Sequence, residues 1–281
     1  KQQSHNKFPP PPLPAGKSAP QEVEPAIPAP VERETFEGPF AHFHQMAVLL
    51  AENPPPPQHA AMNATLWRLG LEPGQGFDPD ALDPDTRAGI LRAIEDGPAV
   101  MEYLRRNRGQ RFPTGWDTAR YADDIVFDYA ARAAISLVGL LGNDPEEAIY
   151  FYTFFDSENA PLDGSESYRM HFEPEDLPEI TSLGFWSVTM YDGETFLLVD
   201  NPIDRYSIGS RHNLQFNDDG SLDLYIQPEA PGGELDSNWL PSPEGRPFRV
   251  TFRIYSPKPE TTQSLYDGEL ALPPLIPASD Q

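Results

Sequence analysis

The chain contains no cysteine, so neither disulfides nor thiolate metal ligation is available to it. Lysine is confined to Lys1, Lys7, Lys17 and Lys258, and 44 acidic residues stand against 20 Lys and Arg, a formal net charge of -24. No Lys/Arg run forms a basic patch, which argues against nucleic acid as a partner and disfavours anionic membrane surfaces. No apolar run reaches membrane-spanning length, so no membrane insertion is expected. A P-loop, an HExxH pair, a nucleophile elbow and a dinucleotide fingerprint are all missing, and no cofactor is expected. An acidic, Lys-poor surface suits a saline habitat, and high-GC coding produces the same pattern.

What is present is enough for one large domain or two small ones: 281 residues, 38% hydrophobic and 11% aromatic. The 34 prolines are well above ordinary usage and concentrate in the tails and loops. In residues 1–32 they define an extended arm, because Pro lacks the backbone donor and fixes φ, leaving polyproline II or disorder. Such an arm is expected to dock on a neighbouring subunit, in a homo-oligomer or on a partner chain; a loosely held tail is the plain alternative. Lys1 in the place of Met points to a processed, exported chain, secreted or periplasmic.

Residues 33–145 read as a helical subdomain. One amphipathic helix follows Thr35, with Phe36, Phe40, Phe43, Ala47 and Leu50 near one face, and stops at Pro54–Pro57. A second covers about Gln58–Leu69 and ends at Gly70; a third runs from about Pro84 to Arg106, interrupted at Gly97-Pro98. A fourth, Asp123–Leu141, carries so few polar residues that it is expected to be buried. From Ala148 the period changes to two. Strands are expected at Ile149–Phe155, Tyr168–Phe172, Phe185–Tyr191, Phe196–Val199, Leu214–Phe216, Leu222–Gln227 and Phe248–Tyr255. Asp192-Gly193 is expected to make a hairpin turn through positive φ at Gly. The fold expected is α+β: a helical subdomain packed on a C-terminal antiparallel jelly-roll-like β-sandwich over 146–260, with a tail, 261–281, along the surface.

The stretch FWSVTMYD, then LVDNPIDRYSIG, DGSLDLYIQ, NWLP and FRVTFRIYSP resembles, in that order, the bacterial domain-of-unknown-function 1214 family, usually joined to the 1254 family. Upstream, Gly115-Trp116, DYAARAAISLVGLLGN, EEAIY and PLDGSESY extend the resemblance over roughly Phe36 to Pro274. It implies a jelly-roll-like β-domain with helices attached and carries no established activity.

Polar residues gather where the central strands stop. Tyr191, Asp192, Asn201, Asp204, Arg205, Tyr206 and Arg211, with Asn238 and Trp239 on another loop, form the candidate ligand site. An Arg fork beside a phenol, an amide and carboxylates can grip a carboxylate or sugar hydroxyls. The competing reading has the same residues satisfying turn backbone and Trp239 plugging the core. A second candidate is an outward strand face of Asp223, Tyr225, Gln227, Arg249, Arg253 and Tyr255, which binds glycan or protein or is covered by helices. His42 and His44 diverge on a helix, His171 lies near Glu173, Glu175 and Asp176, and Asn217–Gly220 reads first as a turn, so no metal is expected. Two functions follow: a non-catalytic binding or assembly protein, or a glycoside hydrolase using two of Asp163, Glu166, Asp192 and Asp204, with a glycan as ligand.

Overall fold

In a computed structural model of the protein, residues 34–107, 109–118, 127–139 and 142–278 are described. The Pro-rich arm, and with it the docking expectation, lies outside them. Backbone contacts divide the chain into two units, Lys1–Leu82 and Asp83–Gln281.

The described part of the first unit holds helices α1 (Ala41–Glu52) and α2 (Ala60–Arg68). The first starts five residues later than Thr35 as N-cap would set it, and Phe40 occupies its N-cap with no side-chain cap. Phe40 and Phe43 instead meet Phe77, at ring separations of 6.0 and 5.4 Å, so aromatic packing rather than capping fixes the start. α2 ends as its sequence requires: Gly70, at φ 80°, lets its own N–H reach the Trp67 carbonyl and that of Leu71 reach Leu66.

The second unit begins with α3 (Pro84–Asn107), which continues through Pro98, and α4 (Tyr129–Gly139), which packs on it. Burial of α4 is one-sided: Ala131 and Ala134 are buried while Leu137 is exposed. The expectation of a wholly buried helix fails because its small residues, not its large ones, face inward.

The described residues form ten strands, the first two between α3 and α4: β1 (Gln110–Arg111), β2 (Asp117–Thr118), β3 (Ala148–Thr153), β4 (Tyr168–Phe172), β5 (Ile180–Asp192), β6 (Ser207–Gly209), β7 (Leu222–Gln227), β8 (Trp239–Pro241), β9 (Phe248–Pro257) and β10 (Leu275–Pro277). The larger sheet has the order β1-β2-β3-β9-β5-β6 and is antiparallel throughout; the smaller has the order β10-β4-β7-β8, with β7 and β8 parallel. Helices and largely antiparallel sheets make the α+β class, and neither sheet closes on itself.

Alternation along the strands builds one core. Trp186, Val188 and Met190 of β5 and Phe248, Val250, Phe252 and Ile254 of β9 point inward, as the period of two requires. Tyr168, Met170, Phe172, Leu222, Leu224 and Ile226 of the smaller sheet join the same cluster. Phe172 bridges the sheets, 5.8 Å from the Trp186 ring and 6.0 Å from Phe252.

Three local expectations are corrected. Phe196–Val199 is no strand: Phe196 sits at φ 58° and only Leu198 forms a bridge, with Tyr191. Leu214–Phe216 is loop, its backbone engaged by Asn238. Gly193 does not have positive φ; a Cβ there would lie 2.9 Å from the Pro247 carbonyl carbon, so close approach is what demands glycine. The C-terminal tail is not superficial. Helix α5 (Pro259–Asp267) buries Leu265, and Leu272 and Leu275 enter the core as β10 pairs with β4.

Candidate functional site

The strand-end cluster turns out to be occupied with its own backbone. Asn201 Oδ1 accepts from the Ile203 and Arg205 N–H groups while its Nδ2 donates to the Val199 and Arg205 carbonyls, so Asn201 builds the turn. Arg205 Nη1 donates to the carbonyls of Trp239, at 2.6 Å, and Asp236, at 2.7 Å. Asn238 and Trp239 are buried. Asn238 bridges the Gln215 and Asp223 backbone and Trp239 Nε1 donates to the Gln227 carbonyl. Arg211 lies 3.8 Å above the Phe185 ring, which stacks in turn on Tyr255 at 4.6 Å. Tyr206 donates weakly to Asp204, at 3.4 Å.

Two of the four carboxylates named for catalysis, Asp192 and Asp163, have turn roles too. Asp192 Oδ1 accepts from Glu194 N–H, Thr195 N–H and the Thr195 hydroxyl, and Oδ2 receives Arg246 at 3.0 Å. These donors, led by Thr195, hold its pKa below the usual carboxylate value. Asp163 is likewise lowered by the Ser165 hydroxyl and N–H. Both groups are therefore held ionised, the wrong state for a general acid at neutral pH.

The expected outward face divides between the two sheets, because β7 pairs with β4 and β8 rather than with β9. On the smaller sheet Asp223 receives His171 Nδ1 at 2.7 Å and Asn217 Nδ2 at 2.9 Å, with Arg169 3.7 Å away. The Asp223 contact raises the His171 pKa above its ordinary value. Among the described residues no group of three His, Asp or Glu is placed to hold a metal ion.

The larger sheet carries the more reactive arrangement. Arg249 and Arg253 stand four residues apart on β9 and so share the face turned away from the core, with Thr251 between them in register with Tyr152 and Thr189. Tyr191, opposite Arg249, joins the two: its ring centroid is 5.2 Å from the Arg249 guanidinium and 5.5 Å from that of Arg253. Arg253 donates Nη1 to Thr189 Oγ1 at 2.9 Å and Nη2 to Tyr191 Oη at 2.7 Å. Phe196 and Phe154 approach Arg249 at 4.4 and 5.7 Å.

Neither guanidinium meets a carboxylate within ion-pair distance among the described residues, and Arg249 Nε is buried without any acceptor. Burial lowers the Arg249 pKa; the charges of Arg253 and of Arg105 on α3 add to this, against the pull of Tyr191 and Tyr152. In a chain with 44 acidic residues, two arginines are thus held in a ring-lined, partly desolvated cluster with no counter-ion among the described residues. Chemically, that arrangement can receive an anion.

Of the strand-end candidates only Tyr191 belongs to this cluster; Arg249 and Arg253 come from the second candidate face. Phe154, Phe196 and Arg105 were not singled out by the sequence. The period of β9 places Arg249 and Arg253 on one side, but nothing in sequence spacing brings a loop phenylalanine or a helix arginine over them. A cleft of about 410 Å³ elsewhere, lined in part by Arg111, Asp156 and Asn159, has its charges engaged. There Arg111 donates to Asn159 and stacks on Phe155, while Asp156 Oδ1 accepts two N–H groups.

Comparison with known proteins agrees with the sequence resemblance. Residues 147–259 match the family described as "Protein of unknown function (DUF1214)". No curated protein matches the chain. Among solved structures it is similar to the VPA0106 protein from Vibrio parahaemolyticus, with a TM-score of 0.59 and 25% identity over 89% of this chain. The match spans 59% of the length of the Vibrio protein. An uncharacterised protein from Burkholderia cenocepacia matches at a TM-score of 0.34 and 15% identity, over 79% of this chain and 50% of that one.

Proposed function

Residues 147–259 being a domain of the DUF1214 family, we propose that this chain is a non-catalytic binding protein whose outer β9 face receives an organic anion. One observation carries the reading: Arg249 and Arg253 lie among aromatic rings with no carboxylate partner among the described residues, and Arg249 Nε has no acceptor. A buried donor left unmade costs free energy that a bound acceptor returns, and a charge-assisted bond is the strongest kind available. The two facing sheets, read as a jelly-roll-like sandwich, give this face a rigid base; the contacts of Phe172 and Tyr168 with the opposite sheet support that reading. The glycoside hydrolase alternative has less support, since Asp163 and Asp192 are committed to their turns.

The experiment is a thermal-shift measurement at low ionic strength with a panel of carboxylate and phosphate salts, on the native protein and on Arg249→Met. Binding to the folded state raises the midpoint in proportion to ln(1 + [L]/Kd). An anion-specific rise that Arg249→Met removes is expected. Equal responses from the two proteins, or none from either, would sink the proposal.

A further inference from the structure

Resting on the reading of the Arg249 face as an anion site, we propose that its ligand is a planar aromatic monocarboxylate. The carboxylate meets the Arg249 fork edge-on, and the ring lies among Phe154, Tyr191 and Phe196. Geometry, charge and backbone strain each point to this class.

Geometry comes first. Phe196, Tyr191 and Phe154 lie 4.4, 5.2 and 5.7 Å from the Arg249 guanidinium carbon. With rings gathered around that carbon, hydrogen bonding is left to the in-plane N–H groups, and Nε among them is buried with no acceptor. A carboxylate offers two coplanar oxygens that match two such N–H groups, whereas a tetrahedral phosphate presents its charge in three directions.

Charge narrows the choice further. A protein of net charge -24 repels an approaching anion, and the repulsion grows with the anion's own charge. A monoanion suffers it least. Both terminal nitrogens of Arg253 already donate to neutral hydroxyls, so Arg253 supplies field rather than a second fork. One fork suits one carboxylate.

Strain at Phe196 supplies the third argument. A bulky side chain at φ 58° occupies the left-handed region at a cost, and here that cost holds a half-exposed ring over the guanidinium. The ring of an aromatic acid seated on the fork packs beside Phe196 as well as against the guanidinium. An aliphatic acid gains the fork and not the ring contact.

Calorimetric titration with sodium benzoate, sodium acetate and inorganic phosphate tests the class. Benzoate should bind about tenfold or more tightly than acetate, the equivalent of about 1.4 kcal/mol, and more tightly than phosphate. Arg249→Lys, which keeps the charge and loses the fork, should weaken benzoate about tenfold. Phe196→Leu, outside the strands and safe for folding, should narrow the benzoate-to-acetate ratio. Acetate or phosphate binding as tightly as benzoate, with dependence on Arg249 retained, would overturn the ligand class and leave the anion site standing. No Arg249-dependent binding of any of the three would remove both.

Discussion

Arg253 Nη2 donates to the Tyr191 hydroxyl at 2.7 Å while the Tyr191 ring lies 5.2 Å from the Arg249 guanidinium, so a single side chain from β5 positions both cations of β9. The pairing register makes this possible. Tyr191 stands opposite Arg249, and Arg253 reaches diagonally across Thr251 to meet it.

Tyr191→Phe separates the two roles. The ring stays and continues to flank Arg249, but Arg253 loses its phenolic acceptor. A net loss of about 1 kcal/mol is expected from the urea-unfolding midpoint, the usual worth of one partly exposed hydrogen bond. Anion binding should persist, because the Arg249 fork is untouched. A loss several-fold larger would mean that the hydroxyl organises the sheet face itself.

Phe196 allows strain and packing to be told apart. Phe196→Ala and Phe196→Gly both delete the ring contacts with Arg249 and with Phe154, 6.2 Å away. Only glycine relieves the positive φ of 58°. The glycine variant should therefore be more stable than the alanine variant by about 1 kcal/mol. Equal stabilities would show that residue 196 leaves the left-handed region in solution.

Much of this was legible in the sequence, and the limits have physical causes. Strict alternation in FRVTFRIYSP gave the inward and outward faces of β9, and Gly70 marked the end of α2. FLLV looked like a returning strand because apolar runs do, yet Asp192 captures the Thr195 N–H and hydroxyl and curls the chain before a ladder can form. Arg205, Asn238 and Trp239 had the right chemistry for a ligand. Their partners are carbonyls 12 to 34 residues away in sequence, and no spacing rule reports those. The Arg249 cluster was half visible, its rings coming from a loop and a neighbouring strand.

His171 predicts a pH dependence. Its pKa is raised first by the hydrogen bond to Asp223 and then by its charge, with Glu173 adding to this and burial opposing it; Asp219 and Arg169 are the other charges nearby. A raised folded-state pKa gives stability that is fully present below the unfolded value of about 6.5 and is lost as pH rises through the folded value. Relative to His171→Gln, the native protein's urea midpoint should thus fall as pH increases above about 6.5. A difference between the two proteins that stays constant with pH would refute the linkage.

The C-terminal segment offers the last test, because the sequence suggests a surface tail and the structure buries it. Trp116, with no exposed surface, donates its indole N–H to the Pro273 carbonyl at 2.8 Å, and two residues on Leu275 enters the core opposite Met170. Both contacts hold the N-terminal end of β10. Leu275→Ala should cost about 2–5 kcal/mol, the range for a fully buried leucine that leaves a cavity. Trp116→Phe removes volume and strands the Pro273 carbonyl, costing about 2–4 kcal/mol. Since both act by holding the same strand, the double variant should lose less than the two single losses together. Were the tail only laid along the surface, Leu275→Ala would change the unfolding midpoint by no more than about 0.5 kcal/mol, and β10 would no longer count as a strand the core depends on.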